Sequence, residues 1–436
     1  MRDTQKSQII STQLRQIAEQ AIENPDQVFT SLAHRVDVDF LHEAYRRVRK
    51  DGAPGLSRVT AKEYAEHLEE NLVDLHRRLK DRCYTAPPIK RVWIDKEAGK
   101  KRPIGITEFE DKIVQKAVSM LLGAVFEQDF HPFSHGFREG HSAHQALKEL
   151  RDSCMEQGIR WILDVDISGF FDNIDHAWLR EFIKRRVNDG GLIRLIGKWL
   201  NAGVVDGGTI TVNDKGTPQG GVASPVLANI YLHYVLDEWF VKEVKPRMRG
   251  RCFMVRFADD AVIGCELEAD AKRMMEVLPK RFAKYGLSIH PEKTRLISFG
   301  RPAYRTEATR GDNTFDFLGF THYWTRSRRG YWVIKRKTAG KRVRKTIVAM
   351  RDWCRRNRHR PLGEQYRILC SKLRGHFQYF GTRGNLRAME TVLHFVLHGW
   401  KYWLSRRSRK GAINWDDFQA LLEKLPLPTP RIVHNI

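Results

Sequence analysis

The chain has 436 residues, of which 42% are hydrophobic, so it is long enough for two or three domains and too apolar to be disordered. Its formal net charge of +24 disfavours an enzyme of small metabolites and favours a polyanionic partner, either nucleic acid or an anionic membrane surface. No apolar run reaches the roughly 18–20 residues of a membrane span, and the N-terminus lacks an apolar signal core. We therefore expect a soluble, cytoplasmic protein that binds nucleic acid and no membrane.

The front of the chain is predicted to be helical. Residues 1–45 carry apolar positions at helical spacing, and residues 61–80 predict a further amphipathic helix. Between them, residues 50–55 form a turn-rich loop that follows several basic residues. This loop either contacts a phosphate backbone or simply connects two domains.

Residues 89–106 predict a β-hairpin with basic residues near its tip. Lys96, Lys101 and Arg102 are among them. Lys and Arg supply charge-assisted donors to phosphate, so the hairpin can fold over a triphosphate. A solvated charged turn is the alternative.

The strand predicted at residues 161–167 carries acids two residues apart. Asp164 and Asp166 therefore share one face of it. A carboxylate at the end of a buried strand is costly unless it is paired or metal-bound, which makes Asp166 a candidate metal ligand. Asp164 is expected to be neutralised by a nearby Arg or Lys, and Asp172 to cap the helix predicted at residues 176–187.

A glycine-rich loop at residues 216–221 leads into another helix. Ser224 is the predicted N-cap and Pro225 the first helical residue. Such a loop lets backbone amides approach a substrate closely, but it lacks the Gly-Lys-Ser/Thr ending of a nucleotide-binding P-loop.

Two adjacent carboxylates, Asp259 and Asp260, interrupt an apolar run and are predicted to lie at the tip of a hairpin. They would repel each other unless a cation lay between them; an ordinary Asp-rich turn is the alternative. Residues 160–299 read strand, helix, strand, strand, helix, strand, the ferredoxin-like order with a long insertion. That topology would place Asp166 beside the hairpin, as a third carboxylate suited to two Mg²⁺ ions.

The composition changes after residue 320. Residues 321–410 contain 25 Lys and Arg against three acids, with aromatic residues interleaved. This predicts a basic helical domain that binds a nucleic acid backbone; a helical bundle with solvated basic faces is the alternative.

Several of these segments, in this order, resemble the motifs of reverse transcriptases. Phe257-Ala258-Asp259-Asp260 resembles their Tyr/Phe-X-Asp-Asp box, and Asp166 with Phe170-Phe171-Asp172 resembles their first catalytic motif. The loop and helix at 216–229 resemble the template-positioning segment, and 317–320 the primer grip. Within this family the chain is most similar to the group II intron reverse transcriptase/maturases. The segments that carry this similarity are 52–55, 102–106, 134–138 and 373–381.

The resemblance implies an α+β right-hand polymerase with fingers and a ferredoxin-like palm, followed by an all-α thumb/maturase domain. Its expected domains are an RNA-contacting extension (1–60), fingers and palm (61–320) and a basic helical thumb (321–436). The implied catalytic residues are Asp166, Asp259 and Asp260, with the Ile167 carbonyl as a further ligand of Mg²⁺, for which Mn²⁺ can substitute. The implied nucleotide-binding residues are Lys96, Lys101, Arg102, Phe171 (the steric gate), Gln219, Gly220 and Lys293, and the implied primer grip is Phe317, Leu318 and Gly319.

The expected reaction is RNA-templated DNA synthesis from dNTPs on a DNA or RNA primer, with binding of a structured intron RNA, splicing and retrohoming. A domesticated enzyme of phage defence or DNA repair, or an RNA-binding maturase with little polymerase activity, is the alternative. The chain ends soon after the thumb-like segment, so we expect no endonuclease domain. We expect the protein to be bacterial and associated with the nucleoid, as either a monomer or a homodimer.

Overall fold

The computed structural model describes residues 2–95, 101–211, 215–217, 219–302, 313–408 and 411–436. It mixes helices and sheets, which confirms the α+β prediction. The helices are α1 Arg2–Glu23, α2 Val38–Arg47, α3 Ala61–Glu66, α4 Leu68–Lys80, α5 Phe109–Phe126, α6 Ala143–Glu156, α7 Phe170–Asn173, α8 His176–Lys184, α9 Gly190–Leu200, α10 Ser224–Leu232, α11 Glu268–Lys284, α12 Gly340–Asn357, α13 Leu362–Phe380, α14 Leu386–Leu404 and α15 Trp415–Lys424. The strands are β1 Ile89–Asp95, β2 Lys101–Ile106, β3 Trp161–Asp166, β4 Val204–Asp206, β5 Thr209–Thr211, β6 Cys252–Phe257, β7 Asp260–Cys265, β8 Arg295–Ser298, β9 Phe315–Phe317, β10 Phe320–Arg326 and β11 Trp332–Thr338.

The central sheet has the strand order β6-β7-β3-β8, with every neighbouring pair antiparallel. This is the order of a ferredoxin-like sheet, in which the first strand lies beside the central hairpin. Successive residues of β3 enter different cores, because Leu163 and Val165 join one hydrophobic cluster and Ile162 joins the other. A sheet covered on both faces explains why its strands are apolar at nearly every position.

A second sheet has the order β2-β1-β4-β5 and contains the hairpin predicted at residues 89–106. β1 and β2 pair antiparallel, with Ile94 opposite Arg102. β1 also pairs in parallel with β4, which belongs to the long insertion between α8 and the central hairpin. The predicted tip residue Lys96 lies outside the described residues.

The third sheet corrects the prediction that the chain is helical from residue 321. Strands β9, β10 and β11 occupy residues 315–338 in the order β11-β10-β9, and the helices begin only with α12. Alternate residues of β10 are buried, including Phe320, His322 and Trp324. This two-residue period was the available signal, and the aggregate basic charge obscured it.

Two helix starts also differ from prediction. Asp175, not Asp172, caps α8, because its carboxylate accepts the backbone N–H groups of Ala177 and Trp178. The N-cap of α10 is Ala223, so Ser224 is already the first helical residue. Within the described ranges, no helix is both long and apolar enough to cross a bilayer.

Candidate active site

Three carboxylates meet where β3 ends and β7 begins. Asp166 is the last residue of β3 and stands directly opposite Asp260, the first residue of β7, in the antiparallel register. Asp259 precedes Asp260 in the turn between β6 and β7. Strand pairing therefore brings together the acids that the sequence places almost 100 residues apart.

Burial and neighbouring negative charge raise the pKa values of the two hairpin carboxylates. Burial, with the charges of Asp164, Asp259 and Asp166, raises the pKa of Asp260 to about 7. Burial also raises the pKa of Asp259, and the charge of Asp166 adds to this effect. Mutual repulsion among oxygen-only ligands is relieved by a divalent cation, and carboxylate oxygen is the donor that Mg²⁺ prefers, so these residues fit such an ion.

Two basic side chains contact the acids of β3. The Lys293 ammonium lies 3.3 Å from both carboxylate oxygens of Asp166. Arg295 lies 3.8 Å from Asp164, as expected for a neutralising partner, although burial raises the pKa of Asp164 to about 6. The charge of Asp164 in turn contributes to the raised pKa of Asp260.

The hairpin tip is held by a buried arginine to which the sequence assigned no role. Arg256 and Asp237 form an ion pair in which both side chains are 0% exposed. The Arg256 guanidinium also donates to the Ala258 carbonyl at 2.9 Å and to the Asn229 side chain at 3.1 Å. Ala258 has φ +59°, a left-handed conformation that costs a non-glycine residue about 1–2 kcal/mol. An arginine inside an apolar strand was the available signal, since a buried charge needs a partner.

The loop at residues 133–136 braces the same tip from the other side. The backbone N–H of Arg256 donates to the Phe133 carbonyl, and its carbonyl accepts the N–H of His135. A Cβ on Gly136 would lie 2.0 Å from the Ala258 nitrogen, so only glycine fits there. Asn229 donates to the Gly136 carbonyl at 2.7 Å and joins this loop to α10.

The predicted nucleotide-binding residues lie on two segments that touch. Arg102 donates to the Gln219 side chain at 2.6 Å, and the Gly105 N–H donates to the Gln219 carbonyl, also at 2.6 Å. Gly220 has φ +117°, and a Cβ there would lie 2.4 Å from the Gly105 carbonyl oxygen. The charge of Arg102 opposes the rise that burial causes in the pKa of Asp259. Lys101 is exposed at the start of β2.

The predicted steric gate lies on α7, the short helix that follows β3. Phe171 is 8% exposed, and its carbonyl accepts the N–H of Thr217 at 2.7 Å. Phe170 is 2% exposed and packs edge-on against Phe171. Asp172 lies near Arg91 and Arg102, whose charges oppose the rise that burial causes in its pKa.

A basic cleft extends from the carboxylates to helices α12 and α13. It encloses about 740 Å³, and its lining includes Asp260, Leu318 and Gly319 together with Lys341, Arg342, Lys345 and Lys372. The turn at 318–319 is fixed by the Tyr379 hydroxyl, which donates to the Leu318 carbonyl at 2.9 Å. Phe317, the third predicted primer-grip residue, is buried beneath the turn with 1% exposure.

Comparison with known proteins identifies the family of the chain. Residues 94–322, just over half of the chain, match the family model of the reverse transcriptase (RNA-dependent DNA polymerase). The chain therefore belongs to the reverse transcriptase family.

The relatives narrow the class further. The chain is 38% identical over 302 residues to the group II intron-encoded protein LtrA of Lactococcus lactis subsp. cremoris, covering 66% of this chain and 50% of LtrA. It is 35% identical over 232 residues to protein YkfC of Escherichia coli K12, covering 52% of this chain and 61% of that protein. An uncharacterized 91 kDa protein in the cob intron of Schizosaccharomyces pombe is 40% identical over 167 residues, or 38% of this chain and 20% of that protein. The predicted relationship to group II intron reverse transcriptase/maturases is confirmed, and the match spans about half the length of LtrA.

Proposed function

We propose that the protein is an RNA-directed DNA polymerase that extends a DNA or RNA primer with dNTPs on an RNA template. The pairing of Asp166 with Asp260, beside Asp259, carries this proposal. These three carboxylates and the Ile167 carbonyl would hold two Mg²⁺ ions, or Mn²⁺ in their place. Such ions lower the proton affinity of the primer hydroxyl and neutralise charge on the leaving pyrophosphate.

The residues around the carboxylates would bind and select the incoming nucleotide. Arg102, with Lys101 and Lys96, would hold the triphosphate, and the hydrogen bond from Arg102 to Gln219 supports a shared surface. Gln219 and Gly220 would position the base and template. Phe171 would stack under the sugar and exclude a 2′-hydroxyl. Lys293, beside Asp166, would assist pyrophosphate release.

The basic cleft would receive the primer–template duplex. Its floor at 317–319 would act as the primer grip, and the basic residues of α12 and α13 would contact phosphates. In this proposal residues 1–60 form an RNA-contacting extension, residues 61–320 the fingers and palm, and residues 321–436 the thumb, with its helices from α12 onward.

Primer extension on an RNA template tests the proposal. Mg²⁺-dependent extension with deoxynucleotides only is the expected result, and Asp259→Ala should abolish it without loss of RNA binding. Asp316→Ala is the matched control, because Asp316 lines the same cleft without belonging to the three carboxylates. Extension that persists in Asp259→Ala would refute the metal assignment.

A second function, intron RNA binding that promotes splicing, is favoured by the 25 Lys and Arg against three acids in residues 321–410. It is also favoured by similarity to proteins named as intron-encoded. Splicing of a structured group II intron RNA should then survive Asp259→Ala, because RNA binding needs basic surface rather than the carboxylates. Failure of the wild-type protein to promote splicing of its cognate intron would remove this function and leave the polymerase proposal standing.

A further inference from the structure

A second group of metal-type ligands lies behind the catalytic hairpin. One ring nitrogen each of His131 and His233 and one carboxylate oxygen of Glu238 all lie within 4.8 Å of one another. His131 comes from the loop after α5, whereas the other two residues follow α10. The His131 Nε2 and the nearer Glu238 oxygen are 3.0 Å apart.

A π-helical turn explains how His233 and Glu238 reach the same side of one helix. Residues five apart in an α-helix lie about 140° apart around the axis and cannot share a ligand. Residues His233–Asp237 are π-helical, and the Glu238 N–H donates to the His233 carbonyl five residues earlier. This hydrogen bond stacks the two residues one turn apart. π-Helical turns are rare and occur frequently at functional sites, and a second one follows here at Phe240–Val244.

His233 provides an independent sign of a missing partner. The residue is 3% exposed, yet its Nδ1 has no hydrogen-bond partner among the described residues. Buried polar atoms without a partner are uncommon and point to an unseen ion or water.

We propose that His131, His233 and Glu238 bind one divalent first-row transition metal ion, with Zn²⁺ the best fit. Two imidazoles and a carboxylate, with water as the fourth ligand, are a recognised zinc donor set. The same set is unsuited to Mg²⁺, which prefers oxygen ligands throughout, so this site and the three catalytic carboxylates select different ions.

The surroundings of the three ligands allow an ion to enter, and a bound ion would connect two parts of the fold. His131 and Glu238 keep 21% and 20% of their side chains exposed. Lys242 forms an ion pair with Glu238, but its side chain is 70% exposed and can withdraw into solvent. A bound ion would fasten the loop after α5 to the helix that carries Asp237, the partner of Arg256. Its role is therefore to stiffen the support of the hairpin tip rather than to take part in synthesis.

Zn²⁺ titration of the EDTA-treated, full-length protein tests this site. Calorimetry is run in excess Mg²⁺, which occupies the carboxylates without competing for imidazole. We expect one tight Zn²⁺ per chain, a visible absorption band when Co²⁺ replaces it, and a higher unfolding temperature with Zn²⁺. His131→Gln and Glu238→Gln should each weaken Zn²⁺ binding at least about 100-fold, since even changes outside the ligand shell cost about 10–100-fold.

The control is His398→Gln, because His394 and His398 form an exposed pair on α14 that could bind metal adventitiously. Zn²⁺ binding lost in His398→Gln but kept in His131→Gln would overturn the proposal. So would a wild-type protein that takes up no Zn²⁺, which would leave His131 and Glu238 as a simple hydrogen-bonded pair. If His131→Gln does not fold, Glu238→Gln provides the same comparison.

Discussion

The buried ion pair behind the hairpin tip gives the sharpest stability prediction. Arg256→Met leaves the Asp237 carboxylate without its partner at a site where both side chains are 0% exposed. Removing one member of such a pair costs about 3–5 kcal/mol of unfolding free energy, because a buried charge is left uncompensated. The loss can be measured by urea denaturation followed by tryptophan fluorescence.

The double variant Arg256→Met with Asp237→Leu separates stability from positioning. Removing both charges should recover most of the lost free energy, since apolar replacements of buried ion pairs are often neutral or stabilising. It should not restore synthesis, because the hydrogen bond from Arg256 to the Ala258 carbonyl is still missing. A small displacement of reacting groups can cost about 100-fold, so we expect primer extension to remain about 10–100-fold slower.

Arg251→Met is the matched control for this experiment. Arg251 pairs with Glu266 at the open end of the β6–β7 hairpin, away from the tip, and its side chain is 57% exposed while that of Glu266 is 31% exposed. Exposed ion pairs contribute little to stability because solvent screens them, so this variant should unfold almost as the wild type does. An Arg256→Met loss no larger than that of Arg251→Met would refute the buried-pair reasoning. Full recovery of synthesis in the double variant would refute the positioning role.

Three further predictions follow from the site. Because the pKa of Asp260 is raised to about 7, ionisation of this carboxyl destabilises the fold as the pH rises from about 4 towards 7. Asp260→Asn should therefore stabilise the Mg²⁺-free protein by at most about 4 kcal/mol near pH 8, and should give no gain below pH about 4. A gain in unfolding free energy that is independent of pH in urea titrations would contradict this. Gly220→Ala should lower the unfolding free energy by about 1–3 kcal/mol, because an alanine is strained at φ +117°. Gly197→Ala, in an open helical position, should raise it by about 0.5–1 kcal/mol. Equal unfolding free energies for the two variants would refute the strain argument. Phe171→Val should admit ribonucleotides in primer extension, and unchanged sugar discrimination would exclude Phe171 as the gate.

The sequence predicted the parts of the site that local patterns determine. The strand ending at Asp166 and the apolar strands around Asp259 were readable because buried strands are apolar almost throughout. The order of strands and helices then predicted that Asp166 lies beside the hairpin, and the register places it opposite Asp260. Neutralisation of Asp164 by a basic residue was likewise predictable, since a buried carboxylate needs a partner.

Contacts between distant segments could not be predicted in this way. The bond from Arg102 to Gln219 joins residues 117 positions apart, and nothing local to either residue specifies it. Asp237 lies in a π-helical turn, whose extra residue alters the face that each later side chain occupies, so an α-helical pattern assigns it the wrong neighbours. The strands after residue 320 were not predicted, because the dense basic charge there obscures the two-residue period of the buried side chains.

The hairpin tip places several energetically unfavourable features in a few residues. Their arrangement favours a site that binds a charged ligand. Asp166 and Asp260 face each other directly across two strands, an arrangement in which like charges destabilise a sheet. Ala258 adopts a left-handed conformation between the two strands, and Arg256 is buried with its charge. Asp237 neutralises the buried charge of Arg256, and the hydrogen bond from Arg256 to the Ala258 carbonyl stabilises the left-handed turn. Against the repulsion between Asp166 and Asp260 the protein supplies Lys293, whose side chain is 53% exposed, so this repulsion is left largely for bound cations to relieve.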